Sequence, residues 1–318
     1  MWSYIAKRVT FAVATIFVAI TLNFVLFRVL PGDAVHNLAR VPNASPELVD
    51  ALTEEFGLER PLGEQYLAYL RELVQGNMGI SFVDKRPVWD NLMEMLGNSL
   101  LLVFAGTLLG ILLGVVTGVA AAWWRGTLKG SLTTAMAIFF YSVPAQWLAL
   151  VLLLWFSGVL PTHGMSDPFL ADAPLPTRVG DVLAHMILPT ITMALILYGQ
   201  YTLVVRSAML ESLGEDYVLT ARAKGLRPSR VLRRHAFRNA LLPTVTLIGL
   251  SLATLVGGAI LLETVFSWPG IGYATYYAVV QRDYPMLQGA FLVLAVSVVL
   301  CNLLTDLLYF KLDPRIRA

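Results

Sequence analysis

Glu215-Asp216-Tyr217-Val218-Leu219-Thr220-Ala221-Arg222-Ala223-Lys224-Gly225-Leu226, continued by Arg238-Asn239-Ala240-Leu241-Leu242-Pro243, is a polar and basic island between apolar runs long enough to cross a bilayer. Arg222, Lys224, Arg227, Arg230, Arg233, Arg234 and Arg238 all fall inside it. Asp216 to Ala223 holds good helix formers after an acidic start, and Gly225 stands where a left-handed cap ends such a helix. Pro228 and Ser229 open a second helix that carries the remaining arginines. The spacing predicts helix, tight turn, helix, on the membrane face where basic residues collect.

Working outward, the composition excludes an ordinary soluble chain: 57% of residues are apolar and 14% charged, with mean hydropathy +0.68. A net charge of +2 is too small to argue for nucleic acid, and membrane topology accounts better for the basic residues. The single cysteine, Cys301, forbids an intrachain disulfide and lies in an apolar run. Lys7 and Arg8 precede an apolar run from Val9 to Leu30, long for a signal-peptide core and without a small-residue cleavage site, so it reads as a retained anchor.

Six spans follow from hydropathy, over 9–30, 99–122, 131–158, 187–205, 243–263 and 287–308, each near or above the ~20 apolar residues a helix needs to cross. The expected fold is an all-α membrane protein: residues 1–30 supply a cytoplasmic N-terminus and first span, 31–98 an outer helical segment, and 99–318 a five-helix core with a basic loop over 206–242. Lys7, Arg8, Arg125, Lys129, the Arg206–Arg238 cluster, Lys311, Arg315 and Arg317 share one side. Glu47, Asp50, Glu54, Glu55, Glu59, Glu64, Glu72, Asp84, Asp90 and Glu94 share the other. The positive-inside rule therefore places both termini in the cytoplasm, and Arg28, near the outer end of the first span, snorkels.

Within the outer segment, Ser45-Pro46 opens a helix that Gly57 closes, a second over 64–74 presents Tyr66, Leu67, Leu70 and Val74, and a third near Pro87–Met95 carries Val88, Leu92 and Met95 on one face and suits the membrane surface. This segment serves equally as a cap that touches an external partner or as a passive lid. Gly106, Gly110, Gly114 and Gly118 fall on one face of the second span and let a neighbouring helix approach. Pro144, in Tyr141-Ser142-Val143-Pro144, removes a backbone hydrogen bond inside the third span and bends it. Thr190, Thr192, Tyr198, Gln200 and Tyr201 make the fourth span polar, so these groups face protein or a water-filled route. Trp268-Pro269-Gly270 cannot continue the fifth helix, and the chain is expected to re-enter the outer face there as a short gate.

The Asp216–Leu226 run with His235-Ala236-Phe237-Arg238-Asn239-Ala240-Leu241-Leu242-Pro243 resembles the cytoplasmic loop of ABC-importer permeases, and more narrowly that of the dipeptide/oligopeptide permease family, B-type subunit. The resemblance covers almost the whole chain: Leu30-Pro31-Gly32-Asp33, Gly57-Leu58-Glu59-Arg60-Pro61-Leu62, Gly76-Asn77-Met78-Gly79-Ile80-Ser81, Glu263 through Gly272, Arg282-Asp283-Tyr284-Pro285 and Leu312 through Arg317. It implies the type I ABC importer fold, with the loop as a coupling helix that docks into an ATPase subunit. Asp216, Tyr217, Thr220, Ala221, Arg222, Ala223, Lys224, Gly225 and Leu226 would form that contact, with Tyr217 and Leu226 as apolar plugs, Gly225 as the turn, and Arg222 and Lys224 as charged contacts. The general ABC loop begins Glu-Ala-Ala six residues before its glycine. Here Leu219-Thr220-Ala221 stands in that place, so no contact of that glutamate carries over. Ser142, Pro144, Tyr198, Gln200, Glu263 and Trp268 are candidates for the translocation pathway, set against a packed kink at Pro144 and an interfacial carboxylate at Glu263.

The resemblance further implies a multi-pass subunit of a bacterial or archaeal plasma (inner) membrane, paired with a second, related permease, two cytoplasmic ATPases and an external solute-binding protein. Its task would be ATP-driven peptide import by alternating access; oligosaccharides, nickel chelates and glutathione are cargoes of related systems. No G-x-x-x-x-G-K-[ST], H-E-x-x-H or G-x-S-x-G occurs, so this chain is expected to be no enzyme and to hold no cofactor, ATP and Mg belonging to the ATPases. His36, His163, His185 and His235 are dispersed and predict no metal site. A secondary transporter, the rival from another class, calls for ionisable residues at the bilayer midplane, whereas these spans keep charges near their ends. A structural membrane subunit without transport is the other rival, disfavoured by the polar fourth span and the proline within the third.

Overall fold

A computed structural model describes residues 2–28 and 60–312 of the chain. The Leu30–Asp33 ending of the first span, the helix opened at Ser45-Pro46, the acidic residues 47–59, His36 and the tail over 313–317 lie outside them. Helices run over Trp2–Arg28 (α1), Leu62–Val74 (α2), Val88–Trp123 (α3), Leu128–Ser142 (α4), Ala145–Phe156 (α5), Leu175–Gly214 (α6), Asp216–Ala223 (α7), Pro228–Val231 (α8), Phe237–Val265 (α9), Ile271–Gln281 (α10) and Tyr284–Leu312 (α11). No strand occurs among the described residues beyond isolated bridges.

Segments of α1 and α11 and the whole of α3 and α6 are long and apolar enough to cross a membrane, and α4 with α5 forms one span bent by 103°. The break falls at Val143-Pro144, where Val143 is extended (ψ 129°), as a residue before proline prefers. The expected fifth span lies within α9, 29 residues long. Two helices extend past the prolines near the starts of the expected fourth and fifth spans. α6 continues for 40 residues through Pro189, and α9 begins six residues ahead of Pro243. Packed neighbours compensate for a proline inside a spanning helix, and Pro189 is buried among them.

The described residues divide into two compact units, one drawn from Met1–Gly97 and Ala274–Leu303, the other from Asn98–Tyr273 and Leu304–Ala318. In the first, α2 is tied to α1. The Thr21 and Tyr66 hydroxyls lie 2.7 Å apart, Asn23 donates to the Tyr69 oxygen at 3.2 Å, and Phe24 packs on both tyrosine rings. The inward face of α2 is therefore Gln65, Tyr66 and Tyr69, while Leu67 and Val74 are exposed, which corrects the expected face. The surface helix expected near Pro87–Met95 is likewise the opening of α3. Val88 and Leu92 are fully buried, because Gly289 of α11 has no side chain to hold them off. Asp283, buried at the start of α11, accepts the Ser81 hydroxyl at 2.5 Å and the Phe82, Val83 and Met286 amides, which fastens the 79–86 loop.

In the second unit the glycine stripe does what its spacing predicts. A Cβ on Gly106, Gly110, Gly114 or Gly118 would run into Met193, Leu197, Tyr201 or Val205 of α6, each step of four matched by a step of four. The two backbones approach closely along this seam, and the Thr117 and Thr202 hydroxyls bridge it at 2.8 Å. Gly199 similarly admits Tyr141 and the Ala137 carbonyl of α4. Val103, Leu188, Met193, Leu197, Tyr201, Leu262 and Phe266 fill the core between these helices.

Candidate functional site

The basic island folds as its sequence predicts. α7 runs from Asp216 to Ala223, with Asp216 in the first turn and Arg222 in the last, each complementing the helix dipole. Gly225 has φ +72°. Its amide donates to the Arg222 carbonyl at 2.9 Å, and the Leu226 amide reaches the Ala221 carbonyl at 3.3 Å. These two bonds make a Schellman cap, whose usual apolar contact joins the residue after the glycine to the helix's last turn. Leu226 makes that contact, packing on Val218, Ala221 and Val231. Pro228 then opens α8, and a five-residue π turn over Leu232–Ala236 leads into α9.

This geometry separates the nine expected contact residues. Ala221 is buried and Leu226 turns inward, so both hold the turn together instead of facing a partner. Asp216, Thr220, Arg222, Ala223, Lys224 and Gly225 are exposed. Tyr217 is 37% exposed, and its hydroxyl lies 2.5 Å from that of Ser212, which in turn donates to the Ala236 carbonyl at 3.0 Å. The tyrosine ring is thus fixed against the end of α6 and the start of α9. Leu219, absent from the expected set, is 55% exposed, three residues from Asp216 and four from Ala223, on the face opposite Val218 and Ala221. An apolar residue held outward on a short helix ringed by Asp216, Thr220, Arg222 and Lys224 suits insertion into a partner's groove. The signal in the sequence was the leucine at the place of the general loop's glutamate.

The six candidate pathway residues do not come together. Ser142 and Pro144 are exposed at the α4–α5 break. Tyr198 is buried, edge-on to Phe140, with its carbonyl accepting the Thr202 hydroxyl at 2.7 Å, while Gln200 is half-buried. Glu263 has no exposure at all. It accepts the Ser99 hydroxyl at 2.6 Å, the Gly272 amide at 2.7 Å and the Tyr273 amide at 3.2 Å, so it caps the first turn of α10. Trp268 is also fully buried, its indole N–H donating to the Asn98 carbonyl at 3.0 Å, and Asn98 returns a bond to the Pro269 carbonyl at 2.9 Å. The Trp-Pro-Gly turn is therefore a latched corner, and the carboxylate and indole that suggested a gate are both consumed in holding it. Among the described residues no group of His, Cys, Asp and Glu is placed to hold a metal.

Comparison with known proteins bears on the same segments. Residues 106–318 match the family described as binding-protein-dependent transport system inner membrane component, and residues 1–103 match the N-terminal region of such membrane components. The chain is 39% identical to the di/tripeptide transport system permease protein DppB of Pseudomonas aeruginosa, over 100% of this chain and 99% of that one. It is 38% identical, with the same coverage, to the dipeptide transport system permease protein DppB of Escherichia coli K12. The glutathione transport system permease protein GsiC of Escherichia coli is 33% identical, again over 100% and 99%. In fold, the chain is similar to a chain of the inward-facing MetNI methionine ABC transporter, with a TM-score of 0.56 at 19% identity, covering 70% of this chain and 96% of that one.

Proposed function

Because the chain belongs to the family of binding-protein-dependent transport system inner membrane components, we propose that it is the membrane-spanning subunit of a peptide ABC importer and that its α7 couples the spans to an ATPase. The two relatives named for di- and tripeptide transport support the cargo. The relative named for glutathione keeps that peptide-like molecule as the second reading. One observation carries the coupling assignment: α7 is closed by a Schellman cap, tied to α6 through Ser212 and Tyr217, and yet presents Leu219, Arg222 and Lys224 outward. A rigid lever with an adhesive outer face is what transmission of force requires.

In this reading a second, related permease supplies the other half of the pathway, two cytoplasmic ATPases bind ATP and Mg, and an external binding protein delivers the peptide. This chain performs no bond chemistry and holds no cofactor. ATP binding closes the ATPase pair, the movement reaches α6 and α9 through α7, and the spans exchange inward-open for outward-open. Shifting such an equilibrium from 1:99 to 99:1 takes roughly 5.5 kcal/mol of differential stabilisation, within reach of nucleotide binding and hydrolysis. Both termini and the basic loop lie in the cytoplasm.

The test is purification of the chain from its host in mild detergent, followed by reconstitution with whatever remains bound. A second permease and two Walker-motif ATPases are expected to co-purify, and vesicles supplied with the binding protein should accumulate a labelled dipeptide only with ATP inside the ATPase-facing compartment. Uptake that persists without any ATPase subunit would transfer the function to a secondary transporter.

A further inference from the structure

At the α7 end of the second unit, a cavity of about 300 Å³ opens between the end of α3, the start of α4 and α6, lined among others by Arg125, Arg206, Ser131, Thr134, Gly130 and Ile138. We propose that it binds the phosphate of an anionic phospholipid in the leaflet that meets the basic loop. The site is separate from α7.

Charge argues first. Two guanidinium groups line the cavity and no carboxylate does. Among the described residues the Nε of Arg206 is buried with no hydrogen-bond partner, a state that costs free energy until an acceptor arrives. Arginine forks match phosphate oxygens two at a time, and basic pockets between spanning helices suit anionic headgroups. Small residues supply the room. A Cβ on Gly130 would collide with the Trp124 carbonyl, so only glycine lets the start of α4 sit this close to the end of α3. α4 is 15 residues long, its N-cap Thr127 accepts the Gly130 amide, and Gly130 and Ser131 in the lining place the positive end of its dipole at the cavity.

The surroundings favour a lipid over a free ion. Trp123 and Trp124 are exposed beside the cavity, as aromatic residues are at a headgroup boundary. Lys129 stands 6.0 Å over the Trp124 ring. Ile138, 50% exposed, lines the wall toward the middle of the span, and exposed Leu132 and Met136 lie on the same helix for acyl chains to cover.

Native mass spectrometry of the intact complex, with phosphatidylglycerol or phosphatidylcholine added, tests this. Phosphatidylglycerol should be retained in preference, and the double substitution Arg125→Gln, Arg206→Gln should cut its retention by about tenfold, the loss of two charge-assisted contacts. Arg178→Gln, exposed at the far end of α6, should leave retention unchanged. Ser131→Asp gives an independent arm: an acid in the first turn of α4 favours the helix while repelling an anion, so retention should fall in a folded chain. Equal retention by the wild type and all variants overturns the site. Displacement of the lipid by millimolar inorganic phosphate, with phosphate then bound at the same arginines, overturns the lipid in favour of a free anion.

Discussion

The Glu263 carboxylate and the Ser99 hydroxyl meet at 2.6 Å across 164 residues of chain, both buried. Ser99 passes the arrangement on, accepting the Ile271 amide at 2.8 Å. Serine, carboxylate and the first amides of α10 thus form one network that joins α3, the end of α9 and the corner between α9 and α10.

Glu263 is therefore expected to matter for stability before transport. Glu263→Ala removes the acceptor of the Ser99 hydroxyl and of the buried Gly272 amide, at about 1–3 kcal/mol for each group so stranded. Glu263→Gln keeps one acceptor oxygen and should cost distinctly less. Thermal unfolding of the detergent-solubilised complex measures both. A transport defect in Glu263→Gln with an unchanged unfolding midpoint would instead make the carboxylate part of the route.

Gly225 sits at φ +72° with open space around it, so the demand is on backbone conformation alone. Gly225→Ala should weaken the cap by about 1–2 kcal/mol, the usual cost of a left-handed residue with a Cβ, and lower uptake partially. Gly225→Pro fixes φ at the wrong sign and deletes the amide bonded to the Arg222 carbonyl. ATP-driven uptake should be abolished while the chain still inserts, as judged by its amount in membranes; normal uptake by this variant would end the coupling assignment.

Leu219 and Leu226 separate docking from folding, since one faces out and the other in. Leu219→Asp should change stability by no more than about 0.5 kcal/mol, as exposed substitutions do, yet reduce co-purification of the ATPases and uptake. Leu226→Ala should loosen the turn and lower stability with the outer surface unchanged. Intact ATPase binding in Leu219→Asp would remove the leucine from the interface.

Asp216, Gly225 and Pro228 announce the helix, its cap and the next start because local chemistry decides them, and the glycines of α3 announce their seam because the spacing of four is itself geometric. Pro144 gave the break but not its angle. α6 and α9 run through Pro189 and Pro243 because tertiary packing, invisible in a local window, overrides the preference of a proline to end a helix. Burial of Glu263 and Trp268 was equally hidden. Their partners Ser99 and Asn98 lie more than 160 residues away, and an isolated polar residue at a helix end looks alike whether it caps a turn or faces water. The inward turn of Leu226 is legible in principle, since a Schellman cap calls for an apolar contact at that position.

Topology is the last expectation, and it rests on charge asymmetry. Phe169, in the segment between α5 and α6, is 95% exposed, and Arg230 is exposed on α8 beyond the other end of α6. α6 is 40 residues long, and at ~1.5 Å per residue such a helix exceeds the ~30 Å hydrocarbon core, so the two positions lie on opposite sides. The native thiol, Cys301, lies within the apolar run of α11 and is first replaced by serine. A cysteine at Phe169 should then react with a membrane-impermeant maleimide on intact cells, or on spheroplasts where an outer membrane intervenes, and a cysteine at Arg230 only after permeabilisation. The reverse pattern would put α7 outside, where no ATP is available, and would remove the coupling function together with the orientation.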